Sequence, residues 1–402
     1  MKPLKIALFS GNYNYVMDGP VRCLNRLVAF LQDQGHEVMV FAPTTDRPAC
    51  KPAGTLISVP STPLPGRSEY RLALGLPKAV RAQLEAFGPD LFHLSAPDWL
   101  RHSALKLAHR WGAPAVASFH TRFDTYARYY GGAWLEAALT AVLTRFYNRC
   151  THVYVPSVSM LETLQSQGVT SDLRIWSRGV DRIQFDPANR DMDWRRANGV
   201  QDHETLVVFV GRLVLEKGLD KLEALYDEAE RTGAPIRFLV VGDGPERERL
   251  AERMPRAVFT GYLSDAPLGR AYASGDLFFN PSVTETFGNV TLEALASGLP
   301  AICADATGST SIVAHGRTGL IVHNQDEFYA EIAALAADPQ RRGAMSQAAR
   351  AESARYDWDA VMRGLLDNYR DALATDEPPY PGPYAHVPAM GAAGYAESAP
   401  SR

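Results

Sequence analysis

Cysteine is scarce in this 402-residue chain: Cys23, Cys50, Cys150 and Cys303 are too few and too scattered to frame a disulfide-stapled fold. None stands in a Cys-x-x-Cys or Cys/His ligand spacing, which excludes a structural zinc site. All four are expected to be buried thiols in a reducing compartment. Excess charge of one sign is missing too. With 41 Lys+Arg against 45 Asp+Glu the net charge is −4, which argues against nucleic-acid binding by bulk electrostatics. No apolar run approaches the roughly 20 residues that a membrane-spanning helix requires. The opening Met1-Lys-Pro-Leu-Lys-Ile-Ala-Leu-Phe-Ser10 is too short for a signal-peptide core and runs straight into a glycine turn. The expected location is the cytoplasm, with peripheral contact at the inner membrane face compatible with it.

What is present is an alternation of apolar strands and amphipathic helices. The length calls for two domains of near-equal size. Lys5–Phe9 reads as a buried parallel strand, followed by a loop with Asp18-Gly19-Pro20, a helix from Val21 to Gln34 and a strand Glu37–Phe41. That is a βαβ unit whose loop faces the ligand edge, although the Gly-x-Gly-x-x-Gly dinucleotide fingerprint is absent. Further strands are expected at Asp90–Leu94, Pro114–Phe119, Val153–Ser157 and Leu173–Trp176, with helices at Leu100–Gly112 and Ser159–Gly168. His120 stands at the carboxyl end of one of these strands, where α/β proteins place ligands. A hinge is expected over Ser177 to Asn189.

The second half restarts the pattern. Strands are expected at Thr205–Val210, Arg237–Val241 and Val258–Thr260, and helices at Leu219–Arg231 and Glu246–Arg253. Arg212 and Lys217 share one strand-to-helix loop, and two cations there suit a diphosphate. An apolar run, Asp276–Phe279, then leads through a polar turn into a short helix expected from Phe287 to Gly298-Leu-Pro300. The start of such a helix is a ready phosphate site. Glu285 precedes it and Glu293 lies more than a turn inside, so two carboxylates flank an amide-rich turn. Carboxylates accept hydrogen bonds from paired hydroxyls, and a sugar nucleotide has this layout of sugar, diphosphate and ribose. Dipole-facing and solvated acids are the competing reading for either residue alone.

Two other stretches carry candidate chemistry. The segment from Tyr126 to Arg149 is rich in aromatics and arginine (Tyr129, Tyr130 and Trp134 among them), and suits either a contact with anionic lipid headgroups or an ordinary helix with a basic face. Asp191-Met-Asp193 matches the Asp-x-Asp pattern of metal-dependent sugar transferases. No strand feeds it, so a chance match or helix capping is expected in place of metal binding. Helices are expected at Phe328–Ala337, Pro339–Tyr356 and Trp358–Ala374, and a disordered tail over 376–402.

Gly211-Arg212…Glu216-Lys217-Gly218, Gly242-Asp-Gly244-Pro245, and Glu285 with Glu293-Ala-Leu-Ala-Ser-Gly298-Leu-Pro300 resemble the retaining glycosyltransferases of family four, across residues 5 to 370. The resemblance implies the α/β GT-B fold: two Rossmann-like parallel-sheet domains facing across a cleft. Residues 1–176 would form the acceptor-binding domain, completed by helix 358–374, and residues 177–357 the nucleotide-sugar domain. It also implies roles. Arg212 and Lys217 would hold the diphosphate, Glu285 the sugar hydroxyls and Glu293 the ribose. Phe287, Gly288 and Asn289 would touch sugar and phosphate through their amides. Gly19 would close over the diphosphate, His120 would bind the transferred sugar, and Gly261, Leu263 and Asp265 would border the nucleobase. Where the family often carries paired glycines in the first loop, Asp18-Gly19-Pro20 stands here.

The implied reaction retains configuration by same-face attack, with no metal and no other cofactor. His120-Thr-Arg-Phe-Asp124…Tyr129-Tyr130 resembles the subgroup acting on diacylglycerol-type lipids or glycolipids. The leading expectation is α-mannosyl transfer from GDP-mannose to a membrane glycolipid. Transfer of a UDP-linked sugar such as sulfoquinovose to diacylglycerol stands beside it. From other classes, a GT-B-shaped sugar-nucleotide epimerase or a non-catalytic sugar-nucleotide-binding protein shares the fold.

Overall fold

The computed structural model describes residues 2–64, 67–95, 98–120 and 136–374. The expectations for Thr121–Asp124, Tyr126 to Trp134 and the tail lie outside these residues. In the first half the strands are β1 Lys5–Ser10, β2 Glu37–Ala42, β3 Thr55–Ser58, β4 Ser61–Leu64, β5 Arg67–Ala73, β6 Leu91–Ser95, β7 Ala115–Ser118, β8 His152–Val155 and β9 Asp172–Ile175. Seven of them form a parallel sheet in the order β3-β2-β1-β6-β7-β8-β9. β4 and β5 form a separate antiparallel hairpin. The second half holds β10 Thr205–Val210, β11 Ile236–Val241, β12 Val258–Gly261, β13 Leu277–Asn280, β14 Ala301–Ala304 and β15 Gly319–Val322. These make a second parallel sheet in the order β12-β11-β10-β13-β14-β15.

Each sheet is covered on both faces, which is why its strands read as continuous apolar runs. Successive side chains alternate between faces. Ala7 and Phe9 enter one core with Phe41 and Phe92, while Ile6 and Leu8 enter another. The Phe9 ring stacks on Phe41 and Phe92 at centroid distances of 4.9 and 5.9 Å. Burying each ring contributes about 1.5–3 kcal/mol. In the second half Val207 and Phe209 face one core, and Leu206 and Val208 the other. The last helix, Trp358–Ala374, inserts Met362, Leu365, Leu366 and Tyr369 into the first-half core containing Ile6 and Leu8. That spacing is one face of a helix, and Arg174 ties it down through Asp371 at 2.7 Å.

Several boundaries differ from expectation. Gly19 is not a loop residue: the helix Gly19–Asp33 begins there, with Asp18 as its N-cap accepting from the Val21 amide. Pro20 fits at this position because the first amides of a helix lack intrahelical partners. The helix expected from Phe287 starts at Asn289, because Gly288 stands in the left-handed region at φ 90° and ends the turn. Helix Lys78–Phe87, strand β3 and the β4–β5 hairpin are additions to the expected order. Cys50 is only half-buried, unlike the other three cysteines.

Candidate active site

The second sheet positions its charged residues through two loops at its carboxyl edge. After β10 the chain passes Arg212 and makes a single 3-10 turn at Leu215–Lys217. A Cβ on Gly242 would lie 1.9 Å from the Gly211 carbonyl, so only glycine lets the loop after β11 pack beneath this one. After β13 a second loop carries Glu285. Its carbonyl accepts from the Gly308 amide at 2.9 Å and from Thr307 Oγ1 at 3.0 Å, which fixes the loop. Lys217 Nζ donates to Glu285 Oε1 at 2.5 Å, and the side chains are 26% and 15% exposed. Among the described residues no side chain caps the start of helix Asn289–Ala296, which leaves its first amides available to an anion.

Glu293, inside that helix, accepts from the Tyr272 hydroxyl at 3.0 Å. Burial pushes its carboxyl up to about 7, against the opposing pull of that hydrogen bond and of the Arg22 charge. Its ionised form is short of solvation at this site, so hydroxyl donors would stabilise it.

The first half meets these loops directly. Arg212 Nη2 reaches Glu69 Oε1 on β5 at 2.8 Å. Arg22 Nη2 donates to the Tyr262 hydroxyl at 2.9 Å, beside Gly261 and Leu263. A Cβ built on Gly19 would lie 2.7 Å from Asn289 Nδ2. Thr286 Oγ1 donates to the His120 carbonyl at 3.0 Å, and Ser159 Oγ to the Thr307 carbonyl at 2.6 Å. The His120 ring is buried. Its Nδ1 lies 3.0 Å from Arg178 Nη2 and its Nε2 2.9 Å from Ser118 Oγ. Burial, then the Arg178 charge, hold its pKa well below the usual histidine range.

Comparison with known proteins decides what such a cleft belongs to. The profile of Glycosyltransferase Family 4 matches residues 17–183, and that of Glycosyl transferases group 1 matches residues 204–338. The GDP-mannose-dependent alpha-mannosyltransferase of Mycolicibacterium smegmatis is 33% identical over 92% of this chain and 98% of its own. The chain is a family-four glycosyltransferase. The sulfoquinovosyl transferase of Arabidopsis thaliana is also 33% identical, over 90% of this chain and 72% of its own. Among solved structures, sucrose-phosphate synthase from Thermosynechococcus elongatus superposes with a TM-score of 0.76 at 21% identity, covering 92% of this chain and 99% of that one. Anabaena HepE, in complex with UDP and glucose, gives 0.70 at 18% identity, covering 92% of this chain and all of its own. These two establish the architecture: two Rossmann-like parallel-sheet domains, the GT-B fold.

In the glycosyltransferase, ten of the sequence-derived residues fall into three groups, while Arg212 pairs with Glu69, and His120 with Arg178 and Ser118. Lys217 and Glu285 are joined directly, with Phe287 and Gly288 on the Glu285 loop, Asn289 opening the helix that follows, and Gly19 against Asn289. Glu293 sits deeper, with Tyr272 and near Arg22. Gly261 and Leu263 lie at the end of β12, and Asp265 starts the next helix with φ at 51°, a left-handed conformation that Asp tolerates better than most residues. Asp191 caps helix Met192–Ala197 by accepting from the Trp194 amide at 2.8 Å, and Asp193 pairs with Arg196 at 2.8 Å.

Sequence reasoning missed Glu69, Tyr272, Arg22, Ser118 and Arg178. Only Glu69 had a local signal: Pro65-Gly66 between two short extended runs marks a hairpin. Arg22, Tyr272 and Arg178 reach Tyr262, Glu293 and His120 from 240, 21 and 58 residues away, while Ser118 stands two residues before His120 in a run with no motif to mark it. Among the described residues no helix is long and apolar enough to cross a membrane.

Proposed function

We propose that the glycosyltransferase moves mannose from GDP-mannose to a membrane glycolipid with retention of configuration and without a metal. The observation that carries this reading is the convergence of Arg212, Lys217, Glu285 and the open start of helix Asn289–Ala296 at one sheet edge. Lys217 and Arg212 neutralise the diphosphate, which the uncapped amides also reach. Glu285 accepts from hydroxyls of the sugar, and Glu293 from the ribose diol. As the sugar–phosphate bond breaks, charge grows on the leaving oxygen, where these cations and amides are already in place. That oxygen takes the proton of the acceptor hydroxyl, which attacks from the same face. Hinge motion opens the cleft to load the donor.

Mannose as the sugar rests on the mannosyltransferase relatives, which are 30–34% identical to this chain. A lipid acceptor is supported by a cavity of about 580 Å³ between helices Trp99–Trp111 and Glu136–Tyr147, lined by Trp99, His102, Lys106, Leu139 and Val142. Trp99 is 67% and Val142 54% exposed, and such apolar side chains beside a lysine suit an interface with anionic lipid. The Arabidopsis relative favours a second reading, transfer of UDP-sulfoquinovose to diacylglycerol. Purified enzyme incubated with GDP- and UDP-sugars, against glycolipid and diacylglycerol vesicles, tests both. An α-mannosyl product in the presence of EDTA is expected. Exclusive use of a UDP-sugar, an inverted linkage, or loss of activity on chelation would overturn the corresponding part.

A further inference from the structure

Behind His120 runs a buried hydrogen-bonded chain that the transfer chemistry above does not use. It begins at Arg178, in the segment after β9. That side chain is 5% exposed, and its guanidinium lies 4.8 Å from the Trp176 ring. Nη1 donates to the carbonyls of Trp176 and Ser177, at 2.7 and 3.1 Å, and Nη2 faces His120 Nδ1 at 3.0 Å. On the far side, His120 Nε2 is 2.9 Å from Ser118 Oγ. Ser118 Oγ is 2.7 Å from His93 Nε2, and His93 Nδ1 bonds the Tyr369 hydroxyl on the last helix. The chain therefore ties together the segment after β9, the middle of β6, the end of β7, and the helix that crosses back from the second half.

The direction of its first two bonds is not free. A guanidinium carries donors only and stays protonated in proteins. Its partner Nδ1 must then offer a lone pair, which leaves the ring proton on Nε2, aimed at Ser118 Oγ. A hydroxyl accepts that proton readily and keeps its own for another partner. We infer that Arg178 and Ser118 are positioning residues that lock His120 as its neutral Nε2–H tautomer. The ring is then a fixed strut beneath the cleft, and the His120 carbonyl, bonded to Thr286 Oγ1 at 3.0 Å, sets where the Glu285 loop rests. Both ring nitrogens are engaged within the protein, so the imidazole is not the base for an acceptor hydroxyl. Three facing groups, Arg178, His93 and Arg101, all oppose its protonation, as does burial.

The tautomer is a property of the folded chain alone, and only the kinetic arm rests on the transferase reading. The first measurement is a long-range proton–nitrogen spectrum of histidine-labelled wild-type protein, with His120→Ala used to assign the signal by difference. His120 is expected with Nε2 protonated and Nδ1 bare, unchanged from pH 8 to pH 5.5. An Nδ1–H form, or titration inside that window, overturns the inference. In the second arm, Arg178→Gln and Ser118→Ala should lower kcat by about 10- to 100-fold with donor KM within about threefold, the signature of lost alignment and not of lost binding. Arg178→Gln should also release Nδ1 to exchange between tautomers. Wild-type kcat in either folded variant overturns the positioning role. Should Arg178→Gln fail to fold, Ser118→Ala and the wild-type spectrum still decide. A wild-type protein that transfers no sugar would sink the transferase reading and leave the tautomer to the spectrum.

Discussion

At the carboxyl edge of the second sheet, Lys217 and Glu285 form an ion pair and Arg212 reaches Glu69, all four partly exposed. At the edge of the first sheet, His120, Ser118 and His93 are buried and hydrogen-bonded to one another. Two sheets of the same parallel topology thus furnish one cleft in opposite ways. Partly solvated ions can exchange a protein partner for a ligand at small cost, because water and counterions cushion the exchange. A buried neutral chain cannot, since each broken bond leaves an unsatisfied polar group costing about 1–3 kcal/mol. The second half is therefore suited to bind and release, and the first to hold position.

This contrast can be broken by removing its charged half piece by piece. Glu285→Ala should abolish most transfer, lowering kcat by about 10³-fold with the fold intact by circular dichroism; near-normal turnover would refute its sugar-holding role. Lys217→Ala should weaken binding of the bare nucleoside diphosphate by about 10- to 100-fold, as expected for a lost charge-assisted hydrogen bond. Calorimetry showing unchanged affinity would move the phosphate contact elsewhere.

Glu293 sharpens the comparison, being the buried acid of the charged half. Folded, it keeps its proton up to about pH 7, whereas an unfolded chain releases it near 4.5. Between those values the folded state binds more protons, so this contribution is full below about 4.5 and lost as pH rises through 7. Without donor, the melting temperature of Glu293→Gln relative to wild type should climb from pH 5 to pH 8. A flat difference would mean that Glu293 is ionised throughout. The smallest effect is expected from Glu69→Gln. An ion pair with side chains 38% and 37% exposed contributes about 0.2–1 kcal/mol, so freeing Arg212 should tighten donor binding by about 1.5- to 5-fold. Weaker binding would show that Glu69 orients Arg212 for the phosphate instead of competing with it.

The sequence by itself determined the two-sheet architecture and the charged half of the cleft. Parallel strands buried on both faces must be written as apolar runs such as Thr205–Val210, and the loops that follow such runs lie at the ligand edge of the sheet. Arg212, Lys217 and Glu285 stand on those loops, and Glu293 on the helix after the second of them, which is why the sequence singled them out as candidates. The Asp-x-Asp at 191–193 was legible as a cap for the same local reason. Only the tertiary structure decided the partners. Glu69 sits 143 residues from Arg212, Arg178 lies 58 from His120, and Tyr369 is 276 from His93. Such pairs leave no periodicity or spacing in the chain, because they are chosen by how the two halves and the last helix pack and not by any turn or strand that contains them.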